Sequence, residues 1–308
     1  MTIRWYVFVL TENSVKEPTG KSPGLIGVIA KWRAITHQGL LRSQNEDAHW
    51  VGHTIEVKSE TESASRYLFA VADGLGGHRA GAIASRTALK SVKSEFHKWH
   101  GGEADRMVGQ AMQKANQRVF CVAQSDPELF QKMQTTLTVV ALDQDLLTVG
   151  HIGDCRLYRL RDGKIDQLTR DHTMASDLLG MHLISPEQAA QHPGRHQLTR
   201  SVGGELFMNV DIVRETTLAG DAYILCSDGL WSELTGEEIL ATMQENDISS
   251  ACEKLVRFAL RGGAPDNVTA ITFRIEAIGT CAAPLASWRT IQKKVVQMIR
   301  SASIVASQ

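Results

Sequence analysis

Net charge is almost missing from this sequence: 33 Lys and Arg stand against 34 Asp and Glu, a formal charge of -1. That balance excludes a broad electrostatic attraction to nucleic acid or anionic lipid, so any anion must be bound locally. Cysteine is sparse. Cys121, Cys155, Cys226, Cys252 and Cys281 are odd in number, far apart and free of CxxC pairs. The pattern argues against a disulfide framework or a thiolate zinc site and fits a reducing cytoplasm. Long hydrophobic runs are also missing. Residues 5–10 are apolar behind Arg4, but too few to cross a membrane and without a small-residue cleavage site, so neither a span nor a secretion signal is expected. A P-loop, an HExxH helix and a GxSxG elbow are absent. Gly74, Gly76, Gly77 and Gly81 come near a dinucleotide fingerprint, but Arg79 occupies its last glycine position. Asp73 would also set a negative charge where a pyrophosphate belongs, so no nucleotide site is expected.

What is present is a chain of 308 residues, 43% hydrophobic and 22% charged, enough to bury a substantial core. Residues 11–24 are rich in turn and linker residues, which sets residues 1–30 aside as an N-terminal extension and starts the main domain near residue 31. Strand-like runs occupy 32–36, 67–72, 137–141, 146–152, 222–226 and 268–275. Residues 156–160 and 164–168 flank Asp162-Gly163, a tight-hairpin dipeptide. Two amphipathic helices are predicted, one from Leu89, Val92, Phe96 and Trp99, the other from Val108, Ala111, Ala115, Val119 and Val122. Thr235 with Glu238 and Ser250 with Glu253 read as capping boxes, the second helix ending at Gly262-Gly263. Strands and helices cluster rather than alternate, which predicts an α+β fold with largely antiparallel sheets.

Four segments place an Asp beside a tight loop at the end of an apolar strand: RSQNEDAHW, YLFAVADGLGGH, YILCSDGLW and GAPDNVTAITF. One such Asp is ordinarily a turn residue bonding its own backbone. Four whose strand ends converge would crowd Asp47, Asp73, Asp228 and Asp266, which could not all stay ionised without a cation. Oxygen-only ligation suits hard ions, Mg2+ or Mn2+. Gly74, lacking a side chain, could let its carbonyl approach an ion too. Arg42, five residues before Asp47, is placed to grip a phosphate through paired hydrogen bonds.

Taken together, RSQNED from Arg42, DGLGGHRAGAIAS from Asp73, TTLT at 135–138, GDCRLY from Gly153, SDG from Ser227 and DNVT from Asp266 strongly resemble the metal-dependent, type 2C serine/threonine protein phosphatases, in that family's order over about 31–275. The resemblance implies a β-sandwich of two antiparallel sheets flanked by pairs of helices, with metals at one end. It makes Asp73 the bridging ligand of two Mn2+ or Mg2+ ions, with the Gly74 carbonyl, Asp228 and Asp266 completing the site and Asp47 binding through water. Arg42 matches the substrate-phosphate arginine. Asp154 matches a carboxylate that helps some bacterial members hold a weaker third ion. Leu75 stands where animal members carry a histidine that protonates the leaving group, and His78 does not inherit that role. Cys155 replaces the usual serine, and Ser232 an acidic residue to which Glu233 is adjacent but out of register.

The implied domain spans 31–276 with a flap at about 171–205. His192 and His196 have helical ligand spacing, but Pro193-Gly194 between them predicts a loop, so they are read as flap or surface residues. Residues 277–308 carry an apolar stripe, Trp288, Ile291, Val295, Met298 and Ala302, among basic residues. This tail is expected to pack on the domain or fray, with partner docking the alternative.

The expected activity is hydrolysis of phosphoserine and phosphothreonine in proteins, targets of a serine/threonine kinase, by direct attack of a water between two ions. Cys155 and Cys226 are assigned to packing. The alternatives are a non-catalytic phosphoprotein-binding module of the same fold and a phosphatase of small phosphoesters.

Overall fold

The computed structural model describes residues 6–8, 25–57, 63–76 and 79–280, apart from positions 101, 127, 129 and 131. The stripe of 288–302, His78 and most of the 1–30 extension lie outside them. Strands β1 (Tyr6–Phe8), β2 (Leu25–His37), β3 (Ala48–Val57), β4 (Ser63–Ala72) and the short β5 (Gly74–Leu75) lead into helices α1 (Arg79–Lys98) and α2 (Ala104–Ser125). Strands β6 (Gln134–Thr135), β7 (Leu137–Asp143), β8 (Leu146–Ile152), β9 (Arg156–Arg161) and β10 (Lys164–Gln167) follow. Helices α3 (Met174–Gly180) and α4 (Pro186–Ala190) precede β11 (Asp211–Thr216) and β12 (Ala222–Cys226). Helices α5 (Asp228–Trp231), α6 (Gly236–Glu245) and α7 (Ile248–Gly262) then lead to β13 (Val268–Thr280).

The fold is α+β around one long curled sheet in the order β10-β9-β12-β13-β2-β4-β7-β8-β11, with β3 pairing β4 and β1 pairing β3. Its pairs are antiparallel except β2–β4, which joins the two halves through a short parallel ladder, Leu25–Gly27 against Ser63–Ser65. Strand β2 therefore begins before the expected boundary at residue 31. Its first half pairs with the far end of β13, which itself runs past residue 276, and Val28 is fully buried. The turn-rich run at 11–24 concealed this apolar stretch.

Three apolar clusters hold these layers. Alternate residues of β4, β7, β12 and β13, among them Phe69, Val140, Leu225 and Phe273, pack with one another, and the Phe69 and Phe273 rings stack at 4.2 Å. The opposite residues of β4 and β7 meet α1 and α2 through Leu68, Val92, Phe96 and Met112. Those of β9, β12 and β13 meet α6 and α7 through Ile224, Ile239 and Leu255. The period-two alternation of the strands thus feeds two different cores. At the hairpin, Asp162 and Gly163 adopt φ of 50° and 74°, the paired positive angles that Asp-Gly supplies. Thr235 and Glu238 form the expected capping box of α6. Helix α7, however, opens at Asp247, whose carboxylate accepts from the Ser249 and Ser250 amides. Ser250 and Glu253 are interior residues, because the upstream Asp already satisfies the orphan donors.

Candidate metal centre

Strand register brings the aspartates to one end of the sheet. Ala48 of β3 faces Ala72 of β4, so Asp47 and Asp73, one residue outside each, are neighbours. Cys226 of β12 pairs with both Arg156 of β9 and Ala270 of β13, which sets Asp228, Asp154 and Asp266 beside that same end. Gly153 makes the β8–β9 turn possible: its φ is 110°, and a Cβ there would meet the Thr136 side chain at 2.5 Å.

Asp47 is 5% exposed; its Oδ2 accepts hydrogen bonds from Ser227 Oγ at 2.7 Å and Thr269 Oγ1 at 2.6 Å, while its Oδ1 is buried without a partner. Burial pushes its carboxyl up to about 7; the two hydroxyls oppose the shift, and the charges of Asp228 and Asp266 add to it. Asp73 is anchored by its backbone. Its N–H donates to Thr136 Oγ1 at 2.9 Å, and its carbonyl accepts from the Thr136 amide at 2.8 Å and Thr135 Oγ1 at 2.7 Å. Its carboxyl is held well above the usual range by burial and then by the charges of Asp47, Asp228, Asp154 and Asp266. Asp154, 3% exposed, is raised likewise, by burial and then by Asp228 and Asp171. Asp228 carries a second orphan, a buried Oδ1 without a partner.

Such a group fits divalent cations: the donors are oxygens, two are buried without hydrogens to accept, and the carboxyls of Asp47, Asp73 and Asp154 resist ionisation among them. Gly74 lies in β5 beside Asp73, but its missing side chain has another use. A Cβ there would stand 2.2 Å from the Gly81 carbonyl oxygen and 2.7 Å from that of Glu46, so glycine lets α1 close on the site. Arg42 is 53% exposed in its side chain, and its Nη2 donates to Asp266 Oδ2 at 2.6 Å. That contact uses one of five guanidinium donors and leaves others for a phosphate.

Several residues that place this site were not singled out from sequence. Asn267 takes the Glu46 amide on its Oδ1 at 2.8 Å and donates to the carbonyls of Gln38 and Gln44 at 2.8 and 2.9 Å, which clamps the Arg42–Asp47 segment onto β13. Ser227, Thr269 and Thr136 hold Asp47 and Asp73 as described. His196 does lie in a loop, as Pro193-Gly194 predicts, but it is more than a surface residue. Its Nδ1 is 3.5 Å from Asp228 Oδ2, and donor atoms of Asp154, His196 and Asp228 lie within 4.8 Å of one another. No local signal shows this, because the contact joins residues distant in sequence. His192 is a turn residue, accepting the Gly194 amide on Nδ1 at 3.0 Å. Glu233 faces away, toward Gly262. Cys155 and Cys226 are fully buried, and burial pushes the Cys226 thiol up to about 12, which suits packing and not a thiolate nucleophile. A cavity of about 280 Å³ opens at the other end of β12, lined by Arg161, Asp221, Met243 and Arg274 and by none of the clustered aspartates.

The family model for protein phosphatase 2C matches residues 44–260. The serine/threonine protein phosphatase PstP of Mycobacterium tuberculosis is 34% identical over 246 residues, 80% of this chain and 45% of that protein, so the chain spans under half the length of this relative. Protein phosphatase PhpP of Streptococcus pneumoniae is 31% identical over 242 residues, 76% of this chain and 93% of that protein. Among solved structures, the M. tuberculosis phosphatase PstP/Ppp superposes with a TM-score of 0.73 at 33% identity, over 80% of this chain and 99% of that one. The catalytic domain of PstP in complex with two manganese ions gives 0.71 at 31% identity, over 81% and 100% of the two chains.

Proposed function

Because this chain belongs to the protein phosphatase 2C family, we propose that it is a metal-dependent serine/threonine protein phosphatase, with phosphoserine and phosphothreonine in kinase-modified proteins as its substrates. The observation that carries this reading is the pair of orphaned oxygens, Asp47 Oδ1 and Asp228 Oδ1, buried inside a carboxylate cluster. Asp73, Asp228 and Asp266, with the Gly74 carbonyl and Asp47 in support, would hold two divalent ions. The oxygen donor set favours Mn2+ or Mg2+. Bound there, the ions supply positive charge that acidifies an attacking water and offsets charge building on the phosphoryl oxygens.

The chain's own residues do the rest. Arg42 orients the phosphate with the donors that Asp266 leaves free. Asn267 fixes the segment carrying Arg42. Ser227 and Thr269 keep Asp47 facing the cluster. Leu75 offers no proton to the leaving group. The segment 171–205 borders the site as a flap; its base is tied down where Gly153 and His172 exchange hydrogen bonds, amide to carbonyl at 2.7 Å and amide to Nδ1 at 3.0 Å. The curled sheet is best understood as a sandwich with helix pairs outside, a reading supported by the Phe69–Phe273 core between its halves. A reducing cytoplasm suits the unpaired cysteines, Cys121, Cys155, Cys226 and Cys252, and no described helix is long and apolar enough to cross a membrane.

The test is phosphatase activity on matched phosphothreonine, phosphoserine and phosphotyrosine peptides and a panel of small phosphoesters, before and after chelation. Loss on chelation, recovery with Mn2+ or Mg2+ and preference for the first two peptides support the reading. Preference for phosphotyrosine or a small ester would replace the substrate class, and undiminished activity in chelator-treated protein would remove the metal mechanism.

A further inference from the structure

Beside the phosphate arginine stand Leu40, 59% exposed, and Leu41, 76% exposed, and neither side chain joins the three apolar clusters of the fold. A lone surface leucine means little. These are consecutive, end one residue short of Arg42, and run beside the loop that carries the exposed Pro265: the Leu40 N–H donates to the Ala264 carbonyl at 3.0 Å, and Arg42 pairs with Asp266. Their backbone is fixed. Gly39 adopts a φ of 78°, and a Cβ there would stand 2.0 Å from the Asp266 carbonyl oxygen. Gln38 Nε2 donates to the Arg42 carbonyl at 2.6 Å, and Asn267 holds the carbonyls of Gln38 and Gln44 on either side. Main chain and other side chains make all of these contacts, so the segment is anchored without the side chains of its leucines.

We propose that Leu40 and Leu41, with Pro265 beside them, form an apolar shelf that selects phosphoprotein substrates carrying an apolar side chain one or two residues from the phosphorylated serine or threonine. The proposal rests on the phosphatase reading above and names the part of the substrate that is read besides the phosphate. Arg42 fixes the phosphate, and an extended peptide advances only about 3.3–3.6 Å per residue, so side chains flanking the phosphorylated residue pass the positions next to Arg42. The shelf's side chains carry no charge and no hydrogen-bonding group. What they offer is removal of apolar surface from water, which rewards leucine, isoleucine, methionine or phenylalanine at the flanking position and gives nothing to serine or glycine. Three side chains fall well short of the roughly 800 Å² per partner that a stable dimer needs, which favours a peptide over a second copy of the chain.

The experiment compares kcat/KM of the Mn2+-loaded full chain on phosphothreonine peptides that differ only in their flanking residues, leucine against serine at the first and second positions on each side, with an aryl phosphate as reference. The wild type should prefer leucine on at least one side by about fivefold, expressed in KM. Leu41→Ser, and more fully Leu41→Ser combined with Leu40→Ser, should bring that preference close to unity and lower the ratio of peptide to aryl phosphate efficiency by the same factor. Equal efficiency on all peptides in the wild type, or a preference that survives the double variant, would overturn the proposal and leave the phosphatase reading standing. Turnover of small phosphoesters with no hydrolysis of any phosphopeptide would remove that reading and this one with it. If sedimentation shows a dimer that the double variant dissolves while the peptide preference is kept, the shelf belongs to a second copy of the chain and the proposal falls.

Discussion

Strand β12 carries a carboxylate beyond each end, Asp221 buried and Asp228 partly so, and the two are treated in opposite ways. Asp221, 2% exposed, sits just before it and is fully matched: Arg161 reaches both its oxygens at 2.7 and 2.6 Å, and the Leu218 amide and Tyr223 hydroxyl add further bonds. Burial works against its ionisation, yet Arg161 and the Leu218 amide hold its carboxyl below the usual range. Asp228, just past the other end, joins a group in which Asp47, Asp73 and Asp154 are all shifted upward. A carboxylate that serves the fold brings its counter-charge within the chain. One that serves a cation leaves that charge to be supplied from solution, at a cost in stability while it is missing.

The largest effect that should follow falls on turnover. Asp73→Asn and Asp228→Asn should each lower kcat by several orders of magnitude in the Mn2+-loaded protein, and the double variant should lose little more, because a shared ligand shell acts as a unit. Mild, additive losses in steady-state kinetics would place these residues at the matched, structural end of the comparison. Stability should divide the other way. Asp221→Asn, which strands Arg161, should cost about 3 kcal/mol in denaturant unfolding. Asp73→Asn should instead stabilise the metal-free protein, since burial and the neighbouring carboxylates make its charge oppose folding there.

How legible this contrast is in the sequence depends on range. Asp47, Asp73, Asp228 and Asp266 flank apolar strands, and antiparallel register then delivers them to one end, so the cluster follows from local pattern. The same holds for the Asp162-Gly163 hairpin. Helix α1 was visible only from Leu89 onward, because its first turns bury the small residues Ala80, Ala82 and Ala84. Strand β3 was missed: its pattern is broken at Gly52, where a Cβ would strike the Trp50 and Phe96 rings at 2.3 and 2.7 Å. Strand β11 is an edge whose Ile212 is 38% exposed, too weakly amphipathic to stand out. The roles of Asn267, His196 and Arg161 rest on contacts between segments far apart in the chain, which no periodicity records.

Arg42 sharpens the comparison from the substrate side. It pairs with Asp266 in an exposed setting, so Arg42→Ala should barely change stability. Loss of its phosphate contact should lower kcat/KM by about 2 kcal/mol with both tight ions retained, as kinetics and metal counting would show. If the variant lost its metals and kept its affinity for a phosphate analogue, Arg42 would belong to the scaffold.

A smaller effect is expected in pH. The Asp47 carboxyl is raised to about 7 in the fold, so the metal-free fold holds a proton that the unfolded chain has already lost. Its contribution to stability is therefore greatest below the unfolded value and declines as pH rises toward 7, levelling off above it. Urea unfolding of chelated protein across that window should show the decline, and Asp47→Asn should flatten it.

The most direct test of the unmatched end is calorimetric titration of Mn2+ into chelator-stripped protein, run near pH 6 and near pH 8 in buffers of different ionisation enthalpy. Two tight ions should bind at both values, with more protons released near pH 6, where the fold still keeps the Asp47 carboxyl neutral, than near pH 8. Binding without proton release at the lower pH, or no tight binding at either, would contradict the account.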